Sequence, residues 1–165
     1  YTKRIKIPLL LDADALNIIS KNKSLLKKLP RNTILTPHPS EFNRLAGKSK
    51  NDFQKFELLK SFAKKHNVIV VLKGAHTCIA TPTGEAYFNS TGNPGMAKGG
   101  SGDVLSGIIG ALLARGLSPL DASIAGVYLH GLAGDIAAEK YSMESMTASD
   151  IISSLGEAFK NIEKP

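Results

Sequence analysis

The chain has 165 residues, 42% hydrophobic and 21% charged, with 21 Lys and Arg against 14 Asp and Glu for a net charge of +7 at neutral pH. That length and balance suit one domain with a sizeable core and exclude an intrinsically disordered chain. A single cysteine, Cys78, excludes an intrachain disulfide; no Cys/His cluster has zinc-ligand spacing, and no apolar run is long enough to span a bilayer. The basic residues are scattered with little aromatic interleaving, which reads as a solvated surface that attracts phosphorylated small molecules, not as a nucleic-acid footprint. The chain opens on Tyr1 with no signal-peptide pattern before Ile5. An excised or cleaved, cytoplasmic protein that engages neither nucleic acid nor membrane is expected.

Residues 6–12, K-I-P-L-L-L-D, form an apolar run ending in acid, the pattern of a strand buried on both faces of a parallel sheet. Ligands gather at the carboxyl ends of such strands, where Asp12, Asp14 and Asn17 fall. Asp14 either faces that end or caps a short helix from about Ala15. Residues 24–30 predict a short amphipathic turn or helix, and residues 33–36 a second short strand. Pro37-His38-Pro39 then fixes the backbone around one imidazole, ahead of a helix from about Ser40 that carries Glu41, Phe42, Arg44 and Leu45. A histidine there is most often a hydrogen-bonding cap.

Asn51 or Asp52 caps a helix reaching His66, with Phe53, Phe56, Leu59, Phe62 and Ala63 as its core stripe. Residues 68–72, V-I-V-V-L, predict the strongest strand, and it delivers Lys73, Gly74, Ala75, His76 and Thr77 at its carboxyl end. A lysine so placed, facing a glycine-rich loop, suits nucleotide phosphates. Residues 78–81, a turn at 82–84 and residues 85–88 predict a hairpin that feeds the loop, with Cys78 as a small apolar strand residue.

Residues 89–107 pack six glycines and one proline into nineteen positions and run into Val104, Leu105, Ile108, Ile109, Leu112 and Leu113 at helical spacing. Gly99, Gly100 and Gly102 are free to take positive φ and to present consecutive N–H groups to an anion. Asp103 falls in the first helical turn, beside the positive end of the helix dipole. Phosphate and carboxylate then share one helix end, which suits phosphoryl transfer: the N–H groups hold the phosphate and the carboxylate takes the proton of an attacking hydroxyl. A glycine turn before a purely structural helix is the alternative. The loop is expected to be mobile. Gly116 stops this helix and Ser118-Pro119 starts another, with Asp121 near its start. Gly107, Gly110, Gly126, Gly131 and Gly134 fall inside helical patterns, where close helix packing is the expected reason. Thr147-x-x-Asp150 opens a last helix to about Lys160, and residues 161–165 are expected to fray.

Four blocks in this order, Leu11-Asp-Ala-Asp-Ala-Leu-Asn17, Leu35-Thr-Pro-His-Pro-Ser-Glu-Phe42, Leu72-Lys-Gly-Ala-His-Thr77 and Asn93-Pro-Gly-Met-Ala-Lys-Gly-Gly-Ser-Gly-Asp103, resemble the ADP/ATP-dependent NAD(P)H-hydrate dehydratases of the ribokinase-like superfamily. The resemblance covers nearly the whole chain, but family domains are longer. Residues 1–165 are therefore expected to be the C-terminal part of one such domain, without its N-terminal strands and helices. The implied fold is a ribokinase-like three-layer α/β/α sandwich with a largely parallel central sheet, in line with the order of the predicted elements. The implied reaction is ADP- or ATP-dependent dehydration of hydrated NADH or NADPH (NADHX or NADPHX), with Mg²⁺, in a protein fused to or paired with an epimerase domain. A homo-oligomer is expected.

Residue by residue, the resemblance makes Asp103 the base, with Gly100 and Gly102 in the catalytic loop. Lys73, Gly74, Ala75, His76, Thr77, Asn93, Lys98, Gly99, Gly100, Ser101 and Gly102 would hold the nucleotide. His38, Glu41, Arg44 and Asp103 would meet the hydrated cofactor, and Asp12 would hold Mg²⁺ directly or through water. The alternatives are a hydroxymethylpyrimidine or hydroxyethylthiazole kinase of the same superfamily, and a binding-only or structural fragment.

Overall fold

The computed structural model describes residues 7–163. The apolar run at residues 6–12 contributes only a two-residue strand, β1 (Leu10–Leu11), and Lys6 lies outside the described residues. Asp12, not Asp14, caps the helix that follows, α1 (Ala13–Lys21): its carboxylate accepts the Ala13 N–H at 2.8 Å, and Asp14 takes a first-turn position. A 3₁₀ turn, Lys23–Lys28, leads to β2 (Thr33–Leu35). Two helices, α2 (Pro39–Ala46) and α3 (Asp52–His66), return the chain to β3 (Val68–Leu72). A hairpin, β4 (Cys78–Ala80) and β5 (Ala86–Phe88), then feeds a 3₁₀ turn, Pro94–Met96. Three helices follow: α4 (Ser101–Ala114), α5 (Pro119–Ser145) and α6 (Ala148–Glu163). The last helix thus runs through residues 161–163, which were expected to fray, and residues 164–165 lie outside the described residues.

The five strands lie in the order β1-β2-β3-β4-β5. The first three are parallel, with Leu10 opposite Ile34 and Ile34 opposite Ile69; the hairpin strands are antiparallel. The parallel character expected of the sheet therefore belongs to β1–β3. Among the described residues β1 pairs only with β2, and it is half-buried where burial on both faces was expected.

Alternation along β3 distributes the core. Ile69 and Val71 face one layer with Leu105, Ile109 and Val127 of α4 and α5, while Val68 and Val70 face the other with Leu16, Phe42 and Leu59 of α1–α3. The result is the three-layer α/β/α sandwich. The α3 stripe is fully buried only from Leu59 onward: Phe56 is half-buried against the same core, and Phe53 is 74% exposed.

Close packing explains some of the helical glycines and not others. A Cβ at Gly126 would fall 2.6 Å from Ile109 Cγ1 at the α4–α5 contact, and one at Gly131 or Gly134 would run into Thr91 or Met96. Gly107 and Gly110 have open space where a Cβ would stand, so packing within the described residues does not account for them.

Candidate phosphate site

Parallel strands put the carboxyl ends of β1, β2 and β3 on one edge of the sheet, and the residues just past those ends meet there. The Lys73 N–H donates to the Pro37 carbonyl at 2.9 Å, tying the end of β3 to the end of β2. Lys73 Nζ donates to Asp12 Oδ1 at 2.9 Å and Ser106 Oγ donates to Asp12 Oδ2 at 2.8 Å, joining two strand ends to α4. Burial opposes ionisation of Asp12, but hydrogen bonds from Lys73, Ser106 and the Ala13 N–H, with the Lys73 charge, hold its carboxyl below the usual value. Each Asp12 oxygen thus accepts from a side chain, Lys73 or Ser106, and the carboxylate stands ionised at the strand ends. Among the described residues, no three His, Cys, Asp or Glu side chains are grouped to hold a metal ion.

The glycine loop delivers the N-terminus of α4 to this cluster. Gly100 has φ 88°, in the left-handed region that favours glycine. Gly102 eases a close approach, since a Cβ there would stand a tight 3.3 Å from Lys73 Nζ. Side chains cap α1, α2, α3 and α5, whereas among the described residues none caps α4. The first-turn N–H groups of Gly102 and Asp103 have no protein acceptor among those residues. A bare helix N-terminus beside a lysine attracts an anion. Asp103 is exposed in that first turn.

Two backbone outliers flank the site. Ala13, next to Asp12, has φ 48°, and His76, in the block that follows β3, has φ 57°. Strain of this kind persists where surrounding contacts fix it and clusters at ligand sites. Gly74, Ala75 and His76 line a cavity of about 410 Å³ with Lys73, and Phe56 and Phe88 stack at its edge with centroids 5.5 Å apart.

The other expected site residues divide. His38 caps α2: its Nδ1 accepts the Ser40 N–H at 3.2 Å, and Glu41 Oε2 accepts the His38 N–H at 2.8 Å. Glu41 is buried by this reciprocal box, so the expectation that its carboxylate meets a substrate is corrected: it faces its own helix start. Arg44 is exposed and donates to Asn17 Oδ1 at 2.8 Å, joining α2 to α1. Lys98 Nζ donates to the carbonyls of Met143, Glu144 and Met146 at 3.0, 2.7 and 2.7 Å, which uses all three ammonium protons at the end of α5. It clamps the loop instead of meeting a nucleotide directly. Asn93 donates to Asp135 and to the Gly134 carbonyl, so the loop expected to be mobile is fastened along α5.

Ser106, His130 and Asp135 were not anticipated. His130 Nε2 lies 3.3 Å from Ser101 Oγ, and burial lowers its pKa to about 4, so the ring is neutral at physiological pH. The available signal was polar side chains interrupting the small, apolar face of α5, in A-G-V-Y-L-H-G-L-A-G-D.

A glycine loop and a bare helix N-terminus, set beside a lysine at the carboxyl edge of parallel strands, give this α/β protein a cradle that suits a phosphate. A family model described as NAD(P)H-hydrate dehydratase matches residues 2–156. The bifunctional NAD(P)H-hydrate repair enzyme of Moorella thermoacetica is 42% identical over 163 residues, covering 98% of this chain and 31% of the relative. The crystal structure of ADP/ATP-dependent NAD(P)H-hydrate dehydratase from Bacillus subtilis, co-crystallised with ATP/Mg²⁺ and soaked with CoA, gives a TM-score of 0.81 at 36% identity, covering 94% of this chain and 57% of that one. The structure of a ribokinase-like superfamily protein from Enterococcus faecalis gives 0.80 at 31% identity, covering 100% and 56%. The chain belongs to the NAD(P)H-hydrate dehydratase family, and its fold is ribokinase-like. It spans about a third of the length of the bifunctional relative and somewhat over half of the two solved chains.

Proposed function

We propose that this chain forms the C-terminal, phosphate-handling part of a domain that uses ADP or ATP to dehydrate NADHX or NADPHX back to the reduced cofactor. The observation that carries the reading is the bare N-terminus of α4, with Asp103 in its first turn and Lys73 against Gly102. Asp103 takes the proton from the substrate hydroxyl as that oxygen attacks the terminal phosphorus and the shortened nucleotide leaves. The N–H groups of Gly99, Gly100 and Gly102 hold the phosphoryl charge, while that of Ser101 donates to the Lys98 carbonyl. Phosphate then departs from the ring carbon while its neighbour loses a proton, which restores the double bond.

Lys73–Thr77, Asn93 and Ser101 form the nucleotide side of the site, and His38 and Arg44, at the mouth of β2 and α2, the hydrated-cofactor side. Mg²⁺ would offset charge on the nucleotide phosphates, and Asp12, at the carboxyl end of β1, would hold it directly or through water. The enzyme is proposed to act in the cytoplasm as a homo-oligomer, with an epimerase domain fused or paired as the name of the bifunctional relative suggests. Among the described residues, no helix is long and apolar enough to cross a membrane.

The test is incubation of the intact protein with hydrated NADH, ADP or ATP, and Mg²⁺. Recovery of the reduced-nicotinamide absorbance with equimolar phosphate is expected. Phosphorylation of a vitamin-precursor alcohol without that recovery would move the assignment to a kinase.

A further inference from the structure

We infer that Asp135 is a positioning residue for the glycine loop, an assignment that rests on the phosphate-handling reading above. Its Oδ2 accepts the Gly92 N–H at 2.8 Å and its Oδ1 accepts from Asn93 Nδ2 at 2.9 Å. The same Asn93 amide donates to the Gly134 carbonyl at 3.0 Å, and Asn93 Oδ1 accepts the Gly95 N–H at 3.0 Å. One carboxylate on α5 therefore fixes backbone and side chain together at the entry to the loop.

The loop lies against the helix because α5 makes room for it. Gly131 and Gly134 share a face, three residues apart, and Thr91 and Met96 fill the space where their side chains would be. Gly95 is closed in by the Met143 carbonyl, 2.6 Å from where its Cβ would stand. Farther along, Lys98 and Ser101 meet the end of α5 and His130. Asp135 differs from these contacts in needing two acceptors at once. Asparagine has nearly its shape but turns an NH₂ toward one of two donors, and it loses the strength of charge-assisted bonds. Asp135 bonds residues 92 and 93 and acts through the loop on the N–H groups of Gly99, Gly100 and Gly102. A slack loop then weakens phosphate binding and transfer while the block at residues 38–44 is left alone.

In the intact protein, Asp135→Asn is compared with wild type by amide exchange over residues 91–102, by ADP calorimetry and by turnover. Exchange in that segment should quicken while β3 and α3 keep their protection. The Kd for ADP should rise about tenfold or more, the scale of one hydrogen bond to a charged group. Turnover should fall by up to about 10²-fold, as misplacement of a catalytic frame does, with the KM for the hydrated cofactor unchanged. Asp135→Glu, which keeps a charged group with two acceptor oxygens, should recover part of each loss. Wild-type exchange and ADP affinity in Asp135→Asn would overturn the inference, as would loss of protection throughout the core with full turnover per folded molecule. Should Asp135→Asn not fold, Asp135→Glu decides: recovered folding and ADP affinity support positioning by the carboxylate, while a folded Asp135→Glu without ADP binding, or an unfolded one, overturns it. Wild type that binds ADP without dehydrating hydrated NADH would end the proposed activity, and the exchange and affinity comparison would still judge Asp135.

Discussion

Asp103 stands exposed in the first turn of α4, where a carboxylate is favoured by the helix dipole whether or not it takes part in chemistry. The two roles leave different traces. Asp103→Asn should lower turnover by roughly 10²- to 10⁴-fold if the carboxylate accepts the substrate proton. A dipole role alone contributes about 0.3 to 1 kcal/mol to stability and leaves the rate intact. Turnover and thermal midpoint measured on one preparation separate them, and a near-normal rate at saturating nucleotide would remove Asp103 from the chemistry. His130 offers a second test. Its pKa is lowered by burial from 6.5 to about 4, so the folded state resists a proton that the unfolded chain accepts. Its contribution to stability is complete above about pH 6.5 and is lost as pH falls toward 4. Midpoints recorded over that interval should fall for wild type and fall less for His130→Gln. At this scale the sequence told of roles that depend on neighbours in the chain, such as a cap at Asn51 or Asp52, which falls to Asn51, a helix start at Ser118-Pro119 and Gly116 as a stop. It was silent on Lys73 with Asp12, 61 residues apart, and on Asp135 with Gly92, 43 apart, because no local pattern encodes which distant side chain the fold brings across.

Helices α4 and α5 carry two kinds of glycine, and the difference is energetic. Gly107 is exposed with open space at its Cβ position, so Ala there should add about 0.5 to 1 kcal/mol by reducing the freedom of the unfolded chain. Gly126, facing Ile109 from α5, has no such room, and Ala should destabilise by about 1 to 3 kcal/mol through overpacking. Opposite shifts in denaturant midpoint are expected, and equal ones would mean that the α4–α5 contact is looser than described. Sequence spacing announced both glycines as helical and could not tell them apart, since the distinction lies in what the next helix presents. The α3 stripe holds at Leu59, Phe62 and Ala63 and fails at Phe53 for a related reason: periodicity marks an apolar face, but only what packs over it decides which residues are covered.

The whole molecule is a sheet of two halves, parallel through β1–β3 and antiparallel through the β4–β5 hairpin. The layered class and the order of elements were legible because hydrophobic period and turn residues alternate along the chain. Strand length was not: among the described residues β1 pairs only with β2, over two residues of a longer apolar run. Between the halves sits the one sulfhydryl. Cys78 opens β4, is 6% exposed, and burial raises its thiol to about 11. Because the thiolate is the reactive form, a disulfide reagent at mildly alkaline pH reaches it only when the hairpin swings open. The labelling rate is therefore a clock for that opening, kept by a residue immediately after Thr77. A nucleotide held by Lys73–Thr77 must slow the clock in proportion to its preference for the closed state, so saturating ADP should retard labelling severalfold. An unchanged rate would mean that the hairpin breathes independently of the phosphate site it borders.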